Sequence, residues 1–279
     1  MAMQPITLTS GMRANLVSLQ NTNSLLETTQ KRLASGKKVN SALDDPVAYF
    51  TALAHEQRAA DLASRKDEMS EAVQTIKAAD AGVQSINTLI AAAKSLASSA
   101  LSADSTTATT LMNQFNTVRT QIDEMAVDSG YKGVNLLGGT SVSLTVKFDE
   151  TGASKLGITG FDASTTGLAI TAASGSDQWV SGTTIVSTAI EASISDLDLA
   201  KDTLRTQSSK LANNLGIITA RQEFTQGMIN VLKDGAAGLT NADMNEEGAN
   251  MLMLQTRQAL GTTSLSLASQ AAQSVLRLF

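Results

Sequence analysis

Between residues 190 and 232, every seventh position is held by Ile190, Leu197, Leu204, Leu211, Ile218, Thr225 or Leu232. A stripe of period seven belongs to a helix that buries one face along its whole length. Ile194, Leu215 and Ile229 stand on the interleaved row, which Lys201, Ser208 and Gln222 interrupt. These three polar residues are either simple exceptions in the seam or positions of weakened packing where neighbouring rods can slide between registers. A helix of about 45 residues at ~1.5 Å per residue is roughly 65 Å long and cannot bury such a stripe against itself. Two earlier segments supply matching faces. Val73, Ile76, Val83, Ile86, Ile90 and Ala97 line one helix over roughly Asp67 to Ala100, and Leu111, Phe115, Val118, Ile122 and Met125 line another at 4-3-4-3 spacing. The only prolines are Pro5 and Pro46, so no proline breaks these helices. The economical solution is an antiparallel hairpin-like bundle whose C-terminal rod returns along the two earlier helices, with the middle of the chain at the far tip.

The two ends carry thinner seams. Leu16, Leu19, Leu26 and Leu33 recur near the N-terminus, with Asn23 and Gln30 where further apolar residues would fall; Asn241 to Phe279 form a Gln/Ser/Ala-rich segment bearing Leu254, Leu265, Val275 and Leu276. Each end holds half a seam, so the two need each other or neighbouring molecules. Polar residues at seam positions leave too little apolar burial to offset backbone ordering, so these helices are expected to fold on docking.

The middle reads differently. From Gly138 to Thr184 lie 8 of the chain's 19 glycines, and Val142, Leu144, Val146 and Phe148 alternate with polar residues. This predicts a small, half-exposed antiparallel β insert with Gly-rich turns. The fold class is therefore mainly α: an elongated antiparallel bundle or coiled coil of N- and C-terminal helices with a small β insert. The expected divisions are 1–44 with 240–279 as an inner terminal coiled coil, 45–137 with 186–239 as a helical rod, and 138–185 as the insert.

Composition narrows the function classes. The charged fraction is 17% and aromatics are 3%, against roughly 25% charged residues in ordinary domains, so burial must come from aliphatic seams. A net charge of −5 with scattered Lys and Arg argues against nucleic acid. No apolar run approaches a membrane span and the start lacks a basic n-region followed by an apolar core, so neither membrane insertion nor a cleaved secretory peptide is expected. The chain has no cysteine, which suits passage between redox compartments.

The hints of chemistry are weak. His55-Glu56-Gln57-Arg58-Ala59 reproduces half of a zinc-protease motif, but the second ligand position is Ala59 and His55 is the only histidine, so no metal site is expected. Asn241-x-Asp243-x-Asn245 echoes a calcium loop, yet Glu246 replaces the glycine and Leu252 the bidentate glutamate, leaving a capped helix start with acidic residues at its dipole. Asp44-Asp45 before Pro46 reads as a turn and helix start. Lys31-Arg32 and Lys37-Lys38 read as a solvated turn or a subunit-interface charge set. Trp179, alone of its kind, reads as a core residue under the β strands. No catalytic residue and no cofactor is expected.

The run from Gln30 to Pro46, with Arg32-Leu33-Ala34-Ser35-Gly36 followed by Asn40-Ser41-Ala42-Leu43-Asp44-Asp45, resembles the N-terminal signature of bacterial flagellins. Asp243 to Glu247, Leu254 to Thr262 and Gln273 to Leu276 resemble the family's C-terminal block, and Gly133-Val134-Asn135-Leu136-Leu137 is similar to its Asn-Gly-x-x-Leu-Leu turn, with Tyr131-Lys132 where Phe-Asn is common. The resemblance implies an inner terminal coiled coil, a surrounding helical layer, and a minimal form without large outer domains. It implies a structural subunit that self-assembles into the extracellular filament used for swimming. It also implies partners: other copies and other flagellins, an export chaperone, the type III export apparatus, and hook-associated and cap proteins. Two alternatives carry the same termini, a hook–filament junction protein and a flagellin-derived surface adhesin. Flagellins sensed by the vertebrate Toll-like receptor share an Arg-Val-Arg-Glu-Leu-Ala segment. Here Ala92, Ala93, Lys94 and Ser95 precede Leu96-Ala97, so weak or absent activation is expected.

Overall fold

The computed structural model describes residues 10–276, apart from the side chains of Ala272, Val275 and Leu276. The described elements are α1 (Ser10–Ser35), α2 (Pro46–Ala100), α3 (Ser105–Asp128), β1 (Ser143–Lys147), β2 (Lys155–Thr159), a 3-10 turn (Gly175–Asp177), β3 (Val180–Ser181), β4 (Thr184–Ile185), α4 (Ser187–Thr240) and α5 (Met244–Leu276). The chain is thus mainly helical, with only two small antiparallel strand pairs among the described residues. It divides into two compact units, 1–57 with 231–279, and 58–230.

Unit 58–230 is built on interlocking heptad rows. On α2, Met69, Ile76, Val83, Ile90 and Ala97 alternate with Ala72, Ala79, Ile86, Ala93 and Ala100, all buried. This alternation of large and small side chains lets facing helices interdigitate. Ile190, Leu197, Leu204, Leu211 and Ile218 of α4 join the same core, as do Ala108, Phe115 and Ile122 of α3. Val73, Leu111, Val118, Met125, Ile194 and Leu215 pack partly buried against it.

Polar pairs set the α2–α4 register: Lys94 with Asp198 (2.5 Å), Ser208 Oγ with Asp80 (2.8 Å), Gln222 with Ser70 (3.0 Å) and Lys66 with Gln226 (2.7 Å). As residue numbers fall on α2 they rise on α4, so the two run antiparallel. Ser208 and Gln222, which interrupt the apolar row in the sequence, therefore hold cross-helix partners.

The helix expected from about Asp67 reaches back to Pro46. Its start is specified locally: the Asp45 carboxylate accepts from the Ala48 amide at 3.0 Å, and Pro46 takes the first helical position, where no amide hydrogen is required. At α3, Asp104 caps by accepting from the Thr107 amide at 2.8 Å.

In the insert, β1 and β2 pair antiparallel with Leu144 opposite Ile158 and Val146 opposite Leu156. Val146, Phe148 and Ile158 of this face are buried. The following loop is fastened to one side of α3: Asn116 bonds both backbone groups of Ala173, Arg119 donates to the Ile170 carbonyl, and Asp123 accepts from the Thr165 amide and hydroxyl. Trp179 is fully buried against Phe115 of α3, with ring centroids 4.7 Å apart. Its indole Nε1 donates to Ser193 Oγ of α4 at 3.0 Å. It therefore plugs a gap between two helices.

Candidate functional site: the terminal helix pair and its turn

Unit 1–57 with 231–279 gathers both signature blocks. After α1, Gly36 takes a left-handed φ of 69°, a conformation that glycine adopts without strain. The chain then lies along the end of α4. The amides of Lys38 and Val39 both donate to the Thr240 carbonyl (2.8 and 3.2 Å), and the Ala242 amide donates to the Gly36 carbonyl (3.0 Å). Within the turn, the Asp44 carboxylate accepts from the Asn40 amide (3.0 Å), the Ser41 amide (2.9 Å) and the Ser41 hydroxyl (3.2 Å). The two backbone donors hold its carboxyl below the usual aspartate range. Ser35 Oγ accepts from the Lys37 amide. Of the signature residues, Arg32, Leu33 and Ser35 close α1, while Gly36, Asn40, Ser41, Asp44 and Asp45 make the hydrogen-bonded turn that leads into α2.

The two terminal helices pack side by side. Arg32 Nη1 meets Glu247 Oε1 at 3.0 Å, Gln258 donates to Asn23 at 2.8 Å, and Gly261 lies beside Leu19, so close that a Cβ there would be 2.8 Å from Leu19 Cδ2. Falling numbers on α1 match rising numbers on α5, so the pair is antiparallel.

The α1 row that faces inward is Met12, Leu19, Thr22, Leu26, Thr29 and Leu33, with Met12, Thr22 and Thr29 buried. The polar companions fall on Thr22 and Thr29, one residue before the expected Asn23 and Gln30, and Leu16 stands 38% exposed. The cause is desolvation. A threonine hydroxyl satisfies itself on the preceding turn, as Thr22 does with the Ser18 carbonyl at 2.9 Å, whereas a buried amide needs several outside partners. On α5 the facing row includes Glu247, Met251, Leu254, Gln258, Gly261 and Leu265, with Glu247 and Leu254 buried. Val275 and Leu276 lie in the helical backbone, but their side chains are outside the described residues.

Glu247 is the residue that sequence reading missed. Its side chain is 9% exposed and pairs with a half-buried arginine. Of the two first-turn glutamates of α5, Glu247 is the one in register with Met251 and Leu254, and that register, with Arg32 in the opposite signature block, was the available signal.

The chemical hints resolve as structural parts. Asp243 Oδ1 accepts from the Asn245 and Glu246 amides (2.9 and 3.3 Å), which makes it the cap of α5. Ala59 is buried, and no group of three or more His, Cys, Asp or Glu placed to hold a metal occurs among the described residues. No described helix is long and apolar enough to cross a membrane.

The comparisons with known proteins agree with this anatomy. Residues 8–142 match the bacterial flagellin N-terminal helical region and residues 197–279 the bacterial flagellin C-terminal helical region. Flagellin FljK of Caulobacter vibrioides is 29% identical, with all of both chains covered. A Brucella melitensis flagellin is 26% identical over 99% of each. Flagellin C of Rhizobium meliloti is 39% identical over 32% of this chain and 29% of its own. The crystal structure of Bacillus cereus flagellin superposes with a TM-score of 0.46 at 15% identity, covering 57% of this chain and 88% of that one. These matches do not favour a junction protein. With both family regions present in order on either side of a short insert, the chain belongs to the bacterial flagellins, the structural subunits that polymerise into the extracellular filament of the flagellum.

Proposed function

We propose that α1 and α5 form the layer through which subunits of this chain polymerise, and that the heptad rows of α2, α3 and α4 supply the stiff body that the layer carries. One observation supports this above the others: the paired helices leave large apolar side chains in water along their length. Leu25 is 55% exposed, Leu252 68%, Leu260 63% and Leu267 61%, while their mutual seam interleaves leucines and methionines with Thr22, Thr29, Glu247 and Gly261. Surfaces of that kind are completed by neighbours. Seeded polymerisation of the purified chain, viewed by electron microscopy beside a chain lacking residues 1–40, tests the reading. Long tubes from the full chain and none from the truncation are expected; tubes from the truncated chain overturn it.

The finer partners follow from the same reading. The chain leaves the cell unfolded through the type III export apparatus, its C-terminal helix is shielded beforehand by a chaperone, and hook-associated and cap proteins bound the growing filament. It carries no catalysis. Toll-like receptor activation is weak: Ala92 and Ser95 offer no multidentate donor, Ala93 is buried, and the Lys94 ammonium is engaged by Asp198. Full potency in a reporter-cell assay contradicts this last point.

A further inference from the structure

Where the signature turn passes into α2, the chain holds three large apolar side chains in solvent. Leu43 is 96% exposed, Val47 76% and Phe50 58%. Their 4-3 spacing places Val47 and Phe50 on one face of the first turns of α2, with Leu43 leading into it. The turn that presents them is well tied: the carboxylate of Asp44 gathers Asn40 and Ser41, and that of Asp45 caps α2. Hydrogen bonds therefore fix a leucine outward, an arrangement that folding of the isolated chain does not reward. The knob is also acidic: Asp44 and Asp45 directly follow Leu43 and neither is in an ion pair among the described residues, Lys31 acting on Asp44 only at longer range.

The same unit carries a hollow of about 290 Å³ lined by Ala236 and Ala237 of α4 together with Lys37, Lys233 and Glu56. Two lysines against one carboxylate leave it net positive, and the two alanines add an apolar patch. It is the chemical complement of the knob.

We propose that Leu43 of one subunit, followed by Asp44 and Asp45, seats in the Lys37/Lys233 hollow of the next copy, with Val47 and Phe50 covered by the same contact. The inference rests on the chain's role as a filament subunit and names one of its contacts. Knob and hollow are different surfaces, so the contact is head-to-tail, the type of interface from which an open helical polymer is built. The apolar side chains supply the affinity, and the rim charges set orientation and encounter rate.

The chain has no cysteine, which makes the test clean. Leu43→Cys and Ala237→Cys in one chain, polymerised on unmodified seeds and then oxidised, should give a ladder of disulfide-linked oligomers, while the monomeric double variant gives none. Filaments that form and oxidise without a ladder overturn the assignment. Independently, Leu43→Ser should raise the critical concentration for seeded elongation at least tenfold with the helical circular dichroism of the monomer unchanged, and Leu43→Met should restore it. Elongation of Leu43→Ser at the unmodified concentration overturns the proposal. The unmodified chain run in parallel separates this result from a failure of assembly as such.

Discussion

Asp44 accepts from two backbone amides and a hydroxyl across the signature turn, and those donors lower its carboxyl pKa. A carboxylate whose folded pKa lies below its unfolded value stabilises the fold above the ordinary aspartate range, and that contribution is lost only as pH falls through the folded value. The amide resonances of Asn40 and Ser41 should therefore hold their shifts from neutral pH down to about 4 and move only below the usual aspartate pKa of ~3.9. A nuclear magnetic resonance titration with its midpoint at or above that value contradicts the assignment. Gly82 carries a different constraint. A Cβ there would lie 2.7 Å from both Ser129 Cβ and Leu137 Cδ1 and would overlap Ser129 Oγ. Overpacking of that kind costs about 1–3 kcal/mol, and the helix-propensity gain of alanine over glycine returns up to ~1 kcal/mol. Gly82→Ala should thus destabilise the monomer by about 1–2 kcal/mol, seen as a Tm lowered by several degrees; an unchanged or raised Tm contradicts the close approach.

At the scale of elements, the interleaved row of α4 invites a direct trial. Ser208 and Gln222 pair with Asp80 and Ser70 across the α2–α4 seam, and such polar pairs specify register while contributing less burial than leucine would. Replacing both, Ser208→Leu with Gln222→Leu, should raise the Tm and fix the filament in one waveform. Dark-field microscopy through a series of pH and salt that still shows the waveform changing would sink the idea. The α4 heptad was legible in the sequence because a period of seven leaves no other solution, and each of its seven residues is buried. The α1 row was legible only to within one residue. Leu19, Leu26 and Leu33 mark the stripe, but the choice between Thr22 and Asn23 as companion depends on desolvation, which spacing does not encode. The loop after β2 was not legible at all. Its order comes from Asn116, Arg119 and Asp123, which stand some fifty residues away in sequence.

At the scale of the whole molecule, the two ends differ from the rod in how much apolar surface they bury. Among the described side chains of α1 and α5, helices of 26 and 33 residues, Met12 and Leu254 are the buried apolar ones, with Leu19, Leu26, Leu33, Met251 and Leu265 half-buried. Burial is therefore sparse relative to the backbone that must be ordered. The Arg32–Glu247 pair adds little, since the arginine is 38% exposed and its ion pair is screened accordingly. Residues 58–230 instead carry continuous buried aliphatic rows on three helices. The amides of α1 and α5 should therefore exchange with solvent far faster than those of α2 and α4 between residues 69 and 218 in the monomer, and become comparably protected once the chain is polymerised. Hydrogen-exchange mass spectrometry on both states reads this directly. If the terminal helices of the monomer were already as protected as in the filament, they would be folded before assembly, and burial against neighbouring copies would no longer account for their order.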